Sequence, residues 1–184
     1  MTRPARHLRA VPVRAMPGMP TLDEVYRDQV DFVVRIARQL GVPPAHVEDV
    51  VHEVFIVVHR RLPDYEPRGS LRSWLYGITK RVVMHHRRHA QRLQAREQRA
   101  PVPAPPREPD EALARRRAAQ AAETCLAQLD EDQRVVLVLS DLEGMTAPEI
   151  AEAVGVKLNT VYSRLRLARR RFERLLAEHT GGQQ

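Results

Sequence analysis

Asn159, Thr160, Tyr162, Ser163, Arg164 and Arg166 are hydrogen-bonding side chains gathered in one segment with helical spacing. The apolar residues among and after them, Val161, Leu165, Ala168, Phe172 and Leu175, recur at steps of three and four. That stripe turns inward, so the polar set turns outward. Side chains of these kinds meet base edges and phosphates when a helix enters a major groove. Lys157 precedes them, and Arg169, Arg170 and Arg171 continue the positive charge. A plainer reading stays open: a surface helical hairpin in a bundle, with its arginines as a solvated face.

The preceding residues supply a shorter helix. Thr146 with Glu149 three residues on has capping-box spacing, which satisfies free amides at a helix start. Pro148 falls in that first turn, where its missing N–H costs little. Ile150, Ala151 and Val154 form an apolar face, and Gly155 sits where the helix must stop and the chain must turn. Cap, turn glycine, stripe and basic outer face together describe a helix-turn-helix and predict DNA binding.

No catalytic constellation is present. There is no Gly-rich phosphate loop, and His52-Glu53 lacks the second histidine of a His-Glu-x-x-His metal site. His85 and His89 lie one turn apart, a spacing that can hold a metal. Arginines surround them without a carboxylate or cysteine on that face, so solvated or phosphate-facing histidines are expected, with no metal and no cofactor.

The net charge is +7 and the sequence pI about 10.4, which suits a polyanionic partner without choosing among nucleic acid, acidic protein and membrane surface. Lys80 and Lys157 are the only lysines, so arginine carries nearly all the positive charge. Cys125 is the only cysteine, which excludes a disulfide framework and a Cys-based zinc site within one chain. No apolar run is long enough to span a bilayer, so no membrane insertion is expected, and the chain fits a reducing cytoplasm.

An all-α fold follows, of two small helical domains joined by a flexible Pro-rich linker, with a helix-turn-helix in the second. The divisions expected are an Arg/Pro-rich disordered tail over 1–20, a first domain over 21–95, a linker over 96–109, a second domain over 110–178 and a fraying tail over 179–184. Thr21 with Glu24 repeats the capping-box pattern ahead of an apolar face of Val30, Val33, Val34, Ala37 and Leu40. Val47, Val50, Val51, Val54, Phe55 and Val58 form the next face, opposite Glu48, Asp49, His52, Glu53 and His59. After a turn-rich loop from Pro63 to Gly69, Leu71, Trp74, Leu75, Ile78, Val82 and Met84 mark a helix with a basic later part. In the second domain Leu113, Ala118, Ala122, Cys125 and Leu126 are inner candidates, followed by Val135, Val136, Leu137, Leu139 and Leu142. Each core is small, so motion between the domains is the expectation.

Three stretches carry a resemblance. Asp49-Val-Val-His-Glu-Val-Phe-Ile-Val-Val-His59, Ser70-Leu-Arg-Ser-Trp-Leu-Tyr-Gly-Ile78, and Leu129-Asp-Glu-Asp-Gln-Arg-Val-Val-Leu137 with the helix-turn-helix core Thr160-Val-Tyr-Ser-Arg-Leu165 occur in the order found in extracytoplasmic-function sigma factors. The chain resembles that group from about Leu22 to Leu176. The resemblance implies a bacterial initiation subunit with sigma domains two and four only, cytoplasmic and nucleoid-associated in holoenzyme. Its partners would be core RNA polymerase (through the beta-prime clamp and beta flap), promoter DNA and an anti-sigma factor.

By the same resemblance, Glu48, Asp49, His52, Glu53, Phe55 and Ile56 would dock on polymerase. Tyr65, Arg68, Arg72, Lys80, Arg81, His85 and Arg88 would meet the minus-ten element, Tyr65 by stacking a flipped base or else by tucking against the domain. Lys157, Asn159, Thr160, Tyr162, Ser163, Arg164, Arg166, Arg169 and Arg170 would meet the minus-thirty-five element. Many members carry Asn where this chain has Arg81 and Asp where it has His85, and an arginine cannot reproduce an Asn pair with adenine. Trp74 is expected in the core. Two other readings stay open: a dimeric helix-turn-helix regulator acting without polymerase, and a polymerase-binding protein that never initiates.

Overall fold

The computed structural model describes residues 19–66, 69–94 and 110–181, with side chains given outside 89–94, 110–117 and 180–181. Residues 1–18 of the expected N-terminal tail, Arg68 and the whole expected linker lie outside these, as do the side chains of His89 and the inner candidate Leu113. Among the described residues there are seven α-helices and no strand.

Helix α1 (Leu22–Gln39) opens as its sequence dictates. The Thr21 hydroxyl accepts the Glu24 amide, and the Thr21 amide donates to the Glu24 carboxylate at 2.7 Å. A 3-10 turn (Pro44–His46) leads into α2 (Val47–Arg61), and a second (Leu62–Asp64) into the loop before α3 (Leu71–Gln94). These three helices pack on one another. All six apolar positions expected on α2 are buried. On α1 the buried stripe is Val25, Phe32, Val33, Ile36 and Ala37, so Val30, Val34 and Leu40 lie at its border, half-buried. On α3, Leu75, Ile78 and Val82 are buried as expected, but Met84 is 45% exposed and Tyr76 is 1% exposed.

The second half begins with α4 (Asp110–Ala127) and α5 (Glu131–Leu137), which runs on into a π-helical turn (Val138–Leu142). Cys125 and Leu126 are buried, whereas Ala118 is exposed. Asp130 stands at the N-cap of α5 without making a cap bond; its carboxylate takes Arg171 at 3.2 Å instead. In the π turn the Glu143 amide reaches back five residues to the Val138 carbonyl. The extra residue per turn swings Leu142 outward, contrary to the expected inner position, and Glu143 inward. Helix α6 (Ala147–Val154) follows, then Gly155 at φ +73°, a left-handed conformation that glycine adopts without strain, and α7 (Leu158–Gly181). Helix α7 continues past the expected end at 178.

The two halves share an apolar cluster rather than keeping wholly separate cores. One apolar cluster holds Phe32, Ile36, Val54 and Leu75 together with Val136, Leu139, Ile150 and Val161. Helix α3 packs directly on α6. A second cluster of Leu126, Leu129, Leu137, Val138 and Ala168, with Phe172 and Leu175 at its edge, closes the far end of the second half. The expected α7 stripe therefore spans both clusters.

The α6 cap is tied to this contact. The Glu149 carboxylate accepts the Thr146 amide at 2.7 Å and the Thr146 hydroxyl at 2.8 Å, and the Ser70 hydroxyl also bonds it. These donors, the backbone amide foremost, hold its pKa below the ordinary glutamate value of 4.5. A carboxyl with a depressed folded pKa adds stability above its unfolded pKa and loses it as pH falls through the folded value. Glu149→Gln should therefore lower stability at pH 7, and the deficit should shrink as the pH falls below about 4.5, as read by chemical denaturation across pH.

Candidate nucleic-acid interface

Helix α7 sorts its cations by flank. On one side the Arg164 guanidinium is bonded to the Asp132 carboxylate, and Arg171 to Asp130. On the other, Arg169 takes Asp141 at 2.6 Å and Ser140 at 3.2 Å. This bonding holds the Asp141 carboxyl below, and the Arg169 guanidinium above, its usual pKa. Between the flanks run Asn159, Ser163, Arg166 and Arg170 at steps of four, three and four, all exposed. Neither Arg166 nor Arg170 has an ion pair among the described residues. Lys157 and Tyr162 are exposed beside this row and Thr160 is half-buried. Tyr162, Arg166, Arg169 and Arg170 line an open cleft of about 460 Å³ against Ser140 and Ala147.

The structure divides the expected set by its partners within the chain. Asn159, Ser163, Arg166 and Arg170 form one exposed row on a single helix, with the Ser163 hydroxyl donating to the Thr160 carbonyl at 2.9 Å. Arg164 and Arg169 are engaged by acids on α5 and the π turn, and Arg164 is only 25% exposed. Sequence reasoning missed Asp130, Asp132 and Asp141. Their places, at the start of α5 and in the π turn that follows it, were the available signal.

On the first half, Arg81, His85 and Arg88 are exposed along α3, and Lys80 is half-buried. Tyr65 is buried, its ring centroid 4.8 Å from that of the half-buried Trp74. Burial, with Glu152 nearby, raises its hydroxyl pKa. The tucked reading thus describes Tyr65, and the stacking one does not describe it in this arrangement. Arg72 lies 5.4 Å over the Phe32 ring and donates to Gln29 and to the Glu143 carbonyl, so it too is engaged rather than presented.

The outer side of α2 presents Glu48, Asp49, His52 and Ile56 to solvent. Glu53 is half-buried with His86 at 3.9 Å. Phe55, expected on this docking face, is instead core: it is 7% exposed and meets Tyr26 edge-on at 4.7 Å. The three-four spacing of α2 places it beside Val51 and Val58, on the inner side. The side chain of His89, the residue spaced one turn from His85, lies outside the described ones, and no metal-binding cluster occurs among the described residues. No helix there is long and apolar enough to cross a membrane.

Comparison with known proteins bears on both halves. The family described as Sigma-70 region 2 matches residues 25–93, and that described as Sigma-70, region 4 matches residues 119–172. The chain is 31% identical over 153 residues to the RNA polymerase sigma factor NccH of Alcaligenes xylosoxydans xylosoxydans, covering 78% of this chain and 80% of that protein. The chain belongs to the sigma-70 family, in its extracytoplasmic-function group. It is also 34% identical to the ECF RNA polymerase sigma factor SigE of Mycolicibacterium smegmatis over 89% of this chain, although the match spans only 64% of that relative's length. The fold resembles that of the sigma factor RpoE in complex with the anti-sigma factor NepR from Bartonella quintana, with a TM-score of 0.64 and 22% identity over 84% of this chain and 95% of that one.

The sorting of charge on α7 has a measurable consequence for this sigma factor. Removing one phosphate-binding cation flattens the plot of log affinity against log salt by about 0.9 on duplex DNA. Arg170→Ala should produce that change in a fluorescence titration, whereas Arg164→Ala, at a position already neutralised by Asp132, should leave the slope close to wild type.

Proposed function

We propose that this sigma factor docks on the beta-prime clamp of core RNA polymerase through the outer side of α2 and carries the polymerase to a two-element promoter. The outer row of α7 meets the upstream, minus-thirty-five element: Asn159 and Ser163 address base edges, and Arg166 and Arg170 hold phosphates. Arg81, His85 and Arg88 on α3 meet the downstream, minus-ten element. Arg81 there grips phosphate or guanine, so a family adenine preference at its position is not carried over. The second half meets the polymerase flap. The chain performs no chemistry of its own; it lends specificity to the polymerase, in the cytoplasm at the nucleoid.

One observation carries this reading. The two matched regions present separate exposed surfaces of opposite charge, acidic on α2 (Glu48, Asp49) and basic on α7 (Arg166, Arg170). A DNA-binding protein has no use for an acidic face toward DNA, whereas electrostatic complementarity to a second macromolecule sets orientation and encounter rate. A dimeric regulator leaves that face without a role. We also infer an anti-sigma factor as negative partner, supported by the likeness in fold to RpoE, which was seen with one.

Run-off transcription with purified bacterial core polymerase and the fragment upstream of the chain's own gene tests the reading. A discrete start site that depends on the protein is expected. Asp49→Lys, at an exposed position with no ion pair among the described residues, should reduce that transcript at least about tenfold, since like-charge juxtaposition at an interface costs several kcal/mol. No transcript, with tight binding of the free protein to a palindrome as a dimer, would overturn it.

A further inference from the structure

We propose that residues 3–9 of the chain's own N-terminal segment occupy an apolar groove with an acidic rim on the second half. The inference goes beyond the proposed function and does not depend on it.

The groove lies between α4, the π turn and α7 and holds about 460 Å³. Leu126, Val138 and Phe172 form its floor, the first two buried and Phe172 half-buried at the edge of the second cluster. Leu142 stands at its lip and is 61% exposed. An open apolar floor with a large apolar side chain beside it marks a surface for another segment to cover. Three carboxylates ring it: Glu123 of α4, Asp141 of the π turn and Glu173 of α7. Arg169 neutralises Asp141. Glu123 and Glu173 are exposed and make no ion pair among the described residues. In a chain of net charge +7 the groove is thus locally acidic, and it suits an occupant both apolar and cationic.

The segment from Met1 to Gly18 has that chemistry. It holds Arg3, Arg6, Arg9 and Arg14 and no acidic side chain. Arg3, Arg6 and Arg9 recur every three residues, and so do Leu8 and Val11. A polyproline II strand has three residues per turn, so in that form the three arginines line one edge and the two apolar residues another. Pro4 and Pro12 suit the same form and reduce the entropy lost on seating it. Leu8 then meets the floor while Arg6 and Arg9 reach the rim carboxylates.

The reach is right. Met19, the first described residue, packs on the main cluster at the start of α1, and Gln39, at the other end of α1, lines the groove. The 18 residues of α1 rise about 27 Å. An extended strand at roughly 3.1 Å per residue covers that in about nine residues, which brings residue 10 to the groove and residues 3–9 into it. Asp28, Asp31, Arg35 and Gln39 share one face of α1 at steps of three and four. Glu143 neutralises Arg35, so exposed Asp28 and Asp31 leave an acidic track toward the groove, with Arg14 of the passing strand at their level. A second copy of the chain is the weaker occupant, since it brings a body of the same net charge.

Photo-crosslinking of the full chain, with p-benzoylphenylalanine in place of Leu8, tests the assignment. Peptide mass spectrometry should find crosslinks within one molecule to the peptides that carry Leu142 and Phe172, at a yield independent of protein concentration. Glu123→Lys with Glu173→Lys, both at exposed positions, should cut that yield severalfold, as should added salt. Arg6→Glu with Arg9→Glu in that background should restore it. Where circular dichroism shows that the lysine pair loses helix, the Arg6→Glu and Arg9→Glu pair alone should give the same loss of yield. Crosslinks to other parts of the chain, or none, overturn the proposal. Crosslinks between molecules that grow with concentration also overturn it and assign the groove to a second copy. An undiminished yield in the charge variants overturns the charge match.

Discussion

A carboxylate that is 1% exposed must meet a cation or become neutral, and Glu143 meets Arg35. Much else in the structure follows from that pair. The π turn supplies the extra residue that aims Glu143 inward and leaves Leu142, its neighbour, in solvent. Once Glu143 is seated, α6 lies along α3, and Ile150 and Val161 join the apolar cluster of the first three helices. Neither half buries that surface alone. The ion pair sets where the halves meet, and the shared apolar surface supplies most of the attraction. Because Arg35 is half in water, the pair acts more through the cost of stranding Glu143 than through Coulomb attraction.

Charge elsewhere is arranged by the same pairing of partners. Three of the arginines on α7 are held by aspartates of α5 and its π turn, and the row between them is left exposed. Exposed pairs of this kind add little stability each. Their effect is directional: they neutralise the flanks of α7 and leave Arg166 and Arg170 as its positive stripe. The same chain keeps an acidic surface on α2, at a distance in sequence from the basic one. A basic protein with one acidic helix face suits the proposed pairing of promoter DNA with the basic surface and polymerase with the acidic one.

Local structure was legible in the residues. Both Thr-x-x-Glu caps form, Gly155 takes its left-handed turn, and the α2 stripe and Val161, Leu165 and Ala168 of the α7 stripe bury where a three-four spacing places them. These features depend on neighbours within one or two turns. What the sequence does not disclose is which element will cover an outward residue. Tyr65 and Arg72 read as presentable side chains, yet a partner from another helix claims each one, while Phe55, offered as a docking residue by the resemblance, stays on the apolar face its spacing gives it and meets Tyr26. Arg164 read as a base-contacting residue from its place on the outer face, and Asp132, distant in sequence, holds it. The merged core was hidden for a related reason. A run of prolines marks where a helix cannot continue, and it carries no information on whether the helices at either end pack together.

The most direct measurement is the distance between a spin label on exposed Arg60, at the end of α2, and one on exposed Arg174 of α7, each introduced through cysteine, with native Cys125 buried. It would be made by pulsed electron resonance on the free protein. The account predicts a short, narrow distribution, within the roughly 40 Å of a packed body. A broad distribution reaching well beyond that length would contradict it.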